Sequence, residues 1–199
     1  MGKSRDIRFV NRVFTTHEQQ TILNGKNRDT VLWSLWAGKE TAYKAISKMY
    51  PAVTSAPRRY EIELLSSNGS VPERGVAHTP FGVVSLRLFV RSDHLHCVGV
   101  TEDLAMDSVI WDVLKVDQYR RSHKYQSKIV REMIKQQASF YLNDPPESME
   151  IKRAMGCHGL EPPVLYVRDT KTAIDISMSH DGRFAACALQ DMGGKPAEQ

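Results

Sequence analysis

Apolar positions along the chain follow two different rhythms, and the places where the rhythm changes mark its elements. Leu32, Leu35, Trp36, Tyr43 and Ile46 recur at helical spacing, which predicts a helix over 29–49 that Pro51 ends. Upstream, Thr15 to Glu18 and Thr16 to Gln19 form two overlapping capping boxes, so a short helix is expected from there to about Asn24, stopped by Gly25. Beyond Arg59 the rhythm shortens to two: 60–64, 83–90 and 94–100 alternate as strands, while 66–75 is turn-rich and reads as a hairpin connection. A second long helix follows, with Ile129, Met133, Ile134, Ala138 and Tyr141 as its apolar face and Pro145-Pro146 as its terminator. Strands are then expected over 149–154, 164–167, 174–178 and 184–189.

Helices followed by several strands therefore occur twice. The expected fold class is α+β, built as two similar lobes over 1–101 and 104–190, with 191–199, rich in glycine and ending near a proline, as a flexible tail.

Composition narrows the function classes. The 199 residues are 41% hydrophobic, enough to bury a core without extra staples. Cys97, Cys157 and Cys187 are an odd count at irregular spacing, which argues against a disulfide framework and for a reducing, cytoplasmic setting. No apolar run reaches the length of a membrane span, and M-G-K-S-R-D lacks the apolar core of a signal peptide. A net charge of +4 would suit a phosphate-rich ligand or an acidic protein partner. A nucleic-acid module is disfavoured, because aromatic residues are not interleaved with the basic run at 120–128 as stacking platforms would be.

Two motifs carry candidate chemistry. Between Trp36 and Lys44 the chain reads W-A-G-K-E-T-A-Y-K, placing Glu40 and Lys44 one helical turn apart on one face, where carboxylate and ammonium can close on a polyphosphate and its metal ion. As an ordinary exposed pair the two would contribute only about 0.3 kcal/mol. The second motif, I-S-M-S-H-D-G-R-F-A-A-C-A, sets Ser179 and His180 ahead of Gly182 and a small-residue strand, where a backbone could approach a ligand closely. A third cluster, Asp93-His94-Leu95-His96-Cys97 with Cys157-His158 elsewhere, puts His94 and His96 on one side of a strand, but no Cys-x-x-Cys spacing supports zinc. Trp33, Trp36 and Trp111 read as core aromatics.

The pattern W-x-x-K-E-x-x-x-K together with S-H-x-G resembles the 4'-phosphopantetheinyl transferase superfamily, including the holo-acyl-carrier-protein synthases. The resemblance implies transfer of the phosphopantetheine arm of coenzyme A to a serine of an acyl or peptidyl carrier protein, with Mg2+ as cofactor and adenosine 3',5'-bisphosphate released, in fatty acid, polyketide or peptide synthesis. It implies Glu40 as the metal ligand and as a base acting through a water, and Lys44 as a contact to the transferred phosphate. It also implies Ser179 and His180, with Arg121, Lys124 and Lys128 of the basic run, as contacts to coenzyme A. In the larger members two lobes pack as a pseudo-dimer with the S-H-x-G lobe first, so the order is swapped here; the small members have K-E first but assemble their site between subunits. The expectation is both lobes in one chain with an intramolecular cleft.

Two departures accompany the resemblance. Glu161 in G-L-E-P-P stands where the family often has the lysine of Gly-Lys-Pro. The family's Gly-x-Asp strand before the first helix, which supplies further metal carboxylates, has no counterpart; Asp6 aligns with the linker after it. These departures lead to the expectation of either an upstream start supplying that strand, or a truncated, catalytically weak coenzyme A-binding homologue.

Overall fold

A computed structural model of the chain describes residues 2–65, 73–101, 106–117, 122–157 and 159–192. Its architecture is α+β with antiparallel sheets, in two compact units, Met1–Met106 and Asp107–Gln199.

The first unit opens with a 3-10 turn at Lys3–Arg5 and α1 (Ile7–Val13). No rhythm in the sequence predicted α1: at seven residues it is too short to display one, and Asp6 starts it by accepting the Phe9 N–H at 3.0 Å. α2 (Thr16–Asn24) begins at the expected capping box, with Thr15 and Glu18 capping each other's backbone and Gly25 at the far end. Of the two overlapping boxes only this one closes, since Gln19 instead donates to the Phe14 carbonyl. α3 (Arg28–Met49) follows, capped by Asn27.

The strands β1 (Glu61–Leu65), β2 (Arg74–Thr79), β3 (Gly82–Val90) and β4 (Leu95–Thr101) then form a sheet in chain order, each antiparallel to the next. β2 is a correction to the expected connection over 66–75. Gly75 pairs with Leu64 and Leu86 inside the sheet, and the strand is too polar on its outer face for the alternation to stand out. Residues 66–72 of that connection lie outside the described residues.

α3 lies on this sheet through Leu32, Leu35, Ala42 and Ile46, which share a core with Ile62, Ala77, Val84 and Leu86. α3 passes close over Gly99 of β4. A Cβ there would stand 2.7 Å from the Thr41 methyl and 2.9 Å from a Leu86 methyl, so only glycine lets the two elements meet.

The second unit runs β5 (Ile110–Lys115), α4 (His123–Leu142), β6 (Met149–Lys152), the small hairpin β7 (Met155–Gly156) and β8 (Gly159–Leu160), β9 (Val164–Val167), β10 (Thr170–Asp181) and β11 (Phe184–Asp191). Its main sheet has the order β5-β11-β10-β9-β6. Each unit thus places a long helix before an antiparallel meander in chain order, and the second adds β5 beside its last strand. β5 was not expected, because half of its six residues are exposed and it shows no two-residue apolar rhythm.

α4 packs through Val130, Ile134 and Ala138 onto Ile174, Ile176 and Ala185. Tyr141, expected on the buried face, is 50% exposed and donates its hydroxyl to Asp191 at 2.6 Å. The helix ends at Leu142, where Asn143 adopts the left-handed conformation (φ 53°), before the two prolines are reached. Asp191, expected to begin the tail, pairs with Ile174 in the sheet; 193–199 lie outside the described residues.

Candidate functional site

On α3 the residues of the first motif divide into two groups. Trp36 packs against Phe9 with ring centroids 5.7 Å apart, and Lys39 runs into the core. The Lys39 ammonium meets Glu18 Oε1 at 2.7 Å and donates to the carbonyls of Tyr60 at 2.6 Å and Pro57 at 3.0 Å. Its three donors are therefore all used, which allows an ammonium to be buried at all. Burial pushes the Lys39 amine below the ordinary lysine range, and the hydrogen bond and charge of Glu18 act against that push.

Glu40 and Lys44 form the other group. Both are half-buried, one turn apart, on the part of α3 left over after Leu35, Lys39, Ala42 and Ile46 have turned inward. Desolvation lowers the Lys44 amine, the Glu40 carboxylate raises it in part, and Lys48 lowers it further. An ammonium kept short of water in this way gains more from an arriving phosphate than one already fully hydrated. Trp33, by contrast, is 42% exposed and is not the core aromatic that was expected.

In the second unit Ser179 and His180 sit on β10, opposite Ala186 and Ala185 of β11. Successive strand residues face opposite sides, so His180 looks toward α4, as Ile174 and Ile176 do, and Ser179 is exposed on the other side. Gly182 makes the hairpin turn with φ 55°, a conformation in which a side chain would be strained.

The turn is fastened to the start of α4. Gln126, 5% exposed, donates to the Gly182 carbonyl at 2.8 Å, and the rings of His123 and His180 meet edge to face with centroids 4.4 Å apart. Ser122 caps the helix by accepting the Tyr125 N–H. Lys124 and Lys128 are exposed on its first two turns. This fold thus brings His180 to the basic helix start; Arg121 lies outside the described residues. Gln126 and His123 were not foreseen as partners of the Ser-His element, since fifty-six residues separate Gln126 from Gly182 and only the fold joins them.

Residues 2–94 match the model of the 4'-phosphopantetheinyl transferase superfamily. The match supports the resemblance that the K-E motif carries, and the superfamily's chemistry in general is phosphopantetheinyl transfer, with coenzyme A and a carrier protein as substrates. It covers α1 to β3, while the S-H-x-G element lies outside the matched residues. No significant match was found among curated proteins or among solved structures.

The superfamily typically works with a metal ion, and the donor set around Glu40 bears on that. Among the described residues no three His, Cys, Asp or Glu side chains gather as a metal-holding group. Asp6 is occupied as the cap of α1, with its second oxygen 2.7 Å from the Lys3 ammonium; that hydrogen bond, followed by the one from Phe9 N–H, lowers its carboxyl. One carboxylate fits a magnesium ion whose other ligands are phosphate oxygens and water, which is how magnesium is commonly held on nucleotide substrates. The alternative cluster around His94 is otherwise engaged: His94 Nδ1 lies 2.9 Å from Asp93, His96 stacks on Phe89, and burial pushes the Cys97 thiol up to about 12. Among the described residues no helix is long and apolar enough to cross a membrane.

Proposed function

We propose that this protein is a Mg2+-dependent 4'-phosphopantetheinyl transferase of the holo-acyl-carrier-protein synthase type, acting in the cytoplasm on an acyl or peptidyl carrier protein. The observation that carries the reading is the division of labour on α3: Trp36 and Lys39 are consumed by the core, leaving Glu40 and a desolvated Lys44 side by side.

In the reaction a serine oxygen of the carrier protein attacks the phosphorus that bears the pantetheine arm. The bond from that phosphorus to the bridging oxygen breaks, and adenosine 3',5'-bisphosphate leaves with the electron pair. Lys44 meets the negative charge on the phosphate being transferred. Glu40 would hold the magnesium ion, which when bound neutralises pyrophosphate charge. The same carboxylate is the base that receives the serine proton, relayed through a water. Ser179, His180, Arg121, Lys124 and Lys128 are assigned to coenzyme A phosphates on the strength of the resemblance and, for His180, of its placement at the start of a basic helix.

A second reading, a coenzyme A-binding homologue with little or no transfer, is favoured by one observation: among the described residues Glu40 belongs to no group of three or more His, Cys, Asp or Glu side chains that could hold a metal ion. The deciding experiment mixes the protein with coenzyme A, Mg2+ and a set of apo acyl and peptidyl carrier proteins, and weighs the carriers by mass spectrometry. Transfer predicts a gain equal to the arm, abolished by a chelator and by Glu40→Gln. Coenzyme A binding without any gain in mass would replace the first reading with the second.

A further inference from the structure

Lys39 directly precedes Glu40, yet its side chain leads to the opposite side of α3. There it joins a network that reaches three other parts of the unit. Glu18 Oε1, its ion-pair partner, also accepts the Ile62 N–H of β1 at 2.9 Å, and Glu18 Oε2 accepts the Thr15 N–H of the α2 cap at 2.8 Å. The carbonyls of Pro57 and Tyr60 add the turn that leads into β1. One ammonium of α3 is thereby tied to α2, to that turn and, through Glu18, to the sheet.

Apolar contact alone defines the rotation of a helix loosely, because methyl groups can slide over one another, whereas hydrogen bonds fix direction as well as distance. The consequence at the surface is magnified. A carboxylate on a helix stands roughly 6 Å from the axis, so a rotation of about 10° moves it by about 1 Å, and misplacement of that size can cost about a hundredfold in rate.

A buried ion pair contributes little net stability compared with apolar residues of the same volume, so stability alone is a weak account of this one. We infer that the Glu18–Lys39 pair is a positioning device, fixing the rotation of α3 and so the places of Glu40 and Lys44. The inference rests on the transfer reading for its consequence in rate, but its structural half stands apart from it.

The test uses the full-length chain carrying Glu18→Gln with Lys39→Met, which removes both charges and keeps both volumes. Glu18→Gln alone serves as the second variant. The first readout is independent of activity: nuclear Overhauser contacts between the Thr41 methyl and Gly99, and between Gly38 and the methyls of Leu86 and Ile62, report how α3 is turned on its sheet. The second is the transfer rate. In a folded variant we expect these contacts to weaken or be replaced, and transfer to fall at least tenfold.

Unchanged contacts in a folded variant would overturn the inference, as would altered contacts with an undiminished rate. If neither variant folds, the pair is required by the fold itself and the positioning claim fails. Should the wild-type protein transfer nothing, the proposed function is lost, while the contacts still decide whether the pair sets the helix.

Discussion

Glu18 and Lys39 meet at 2.7 Å with side chains 0% and 1% exposed, so the capping residue of one helix is also the counter-ion of the next. Two demands converge on a single carboxylate: the cap of α2 and the neutralisation of an ammonium inside the core. Removing the acid by Glu18→Ala leaves Lys39 charged, buried and reduced to two carbonyl partners. We expect a loss of about 3–5 kcal/mol, the usual consequence of orphaning one member of a buried pair. Denaturant unfolding followed by far-ultraviolet circular dichroism measures it; a loss below about 1 kcal/mol would show that water reaches Lys39.

Lys44 is expected to behave in the opposite way. Burial lowers its amine, so the charged form is less at ease folded than unfolded. Lys44→Met should therefore stabilise the protein while abolishing transfer, with a gain of about 0.5–1 kcal/mol, or roughly 1–4 °C for a chain of this size. The sign with pH follows. Below its folded value Lys44 is protonated in both states and the penalty is complete. As pH rises through that value toward 10.5, the unfolded chain holds the proton that the folded one releases, and wild-type stability recovers. The advantage of the variant should thus be widest at neutral pH and narrow as pH approaches 10.5. Thermal melts of both proteins over pH 7–10 test this, and an advantage that widens with pH would contradict it.

The three cysteines should separate by reactivity. Burial pushes the thiols of Cys97 and Cys187 up to about 12, Cys97 half-buried on β4 and Cys187 buried beneath α4, whereas Cys157 is exposed in the turn after β7. Because the thiolate is the reacting species, a disulfide reagent at pH 8 should modify about one thiol per native chain and about three in denaturant. Two fast thiols in the native protein would show that Cys97 or Cys187 is open to the reagent.

Local signals account for what could be read in the sequence. The capping box at Thr15 and Glu18, the apolar stripe of α3 and the four-residue strand β9 are each specified within a few residues, and each lies where it was expected. Elements specified by their partners were not legible. β2 is recognisable only beside β1 and β3, and β5 only beside β11. The candidate site divides along the same line. The spacing of Glu40 and Lys44 follows from helical geometry alone, but the role of Lys39 depends on Glu18, twenty-one residues earlier, and on carbonyls that arrive eighteen and twenty-one residues later. Nothing in a linear pattern distinguishes an inward lysine from an outward one. The nearest available signal was that Lys39 lies one turn after Leu35 and one before Ala42 or Tyr43, on the apolar stripe.

Gln126 offers a test of the second unit that is separate from the first. Its amide donates to the Gly182 carbonyl at 2.8 Å from a buried position on the first turn of α4, and His123, one turn earlier, touches the His180 ring. Gln126→Ala removes the donor and leaves that carbonyl without its side-chain partner, which should cost about 1–2 kcal/mol. It should also loosen the hairpin turn on its α4 side, while the Val116 N–H still donates to the Arg183 carbonyl at 2.6 Å. If His180 contacts a coenzyme A phosphate, loosening the turn weakens the complex by several-fold without touching α3. Calorimetric titration of coenzyme A into Gln126→Ala and His180→Ala measures this. Both variants should bind more weakly than wild type, His180→Ala by the larger factor, and unchanged affinity in both would remove the Ser-His element from the coenzyme A site.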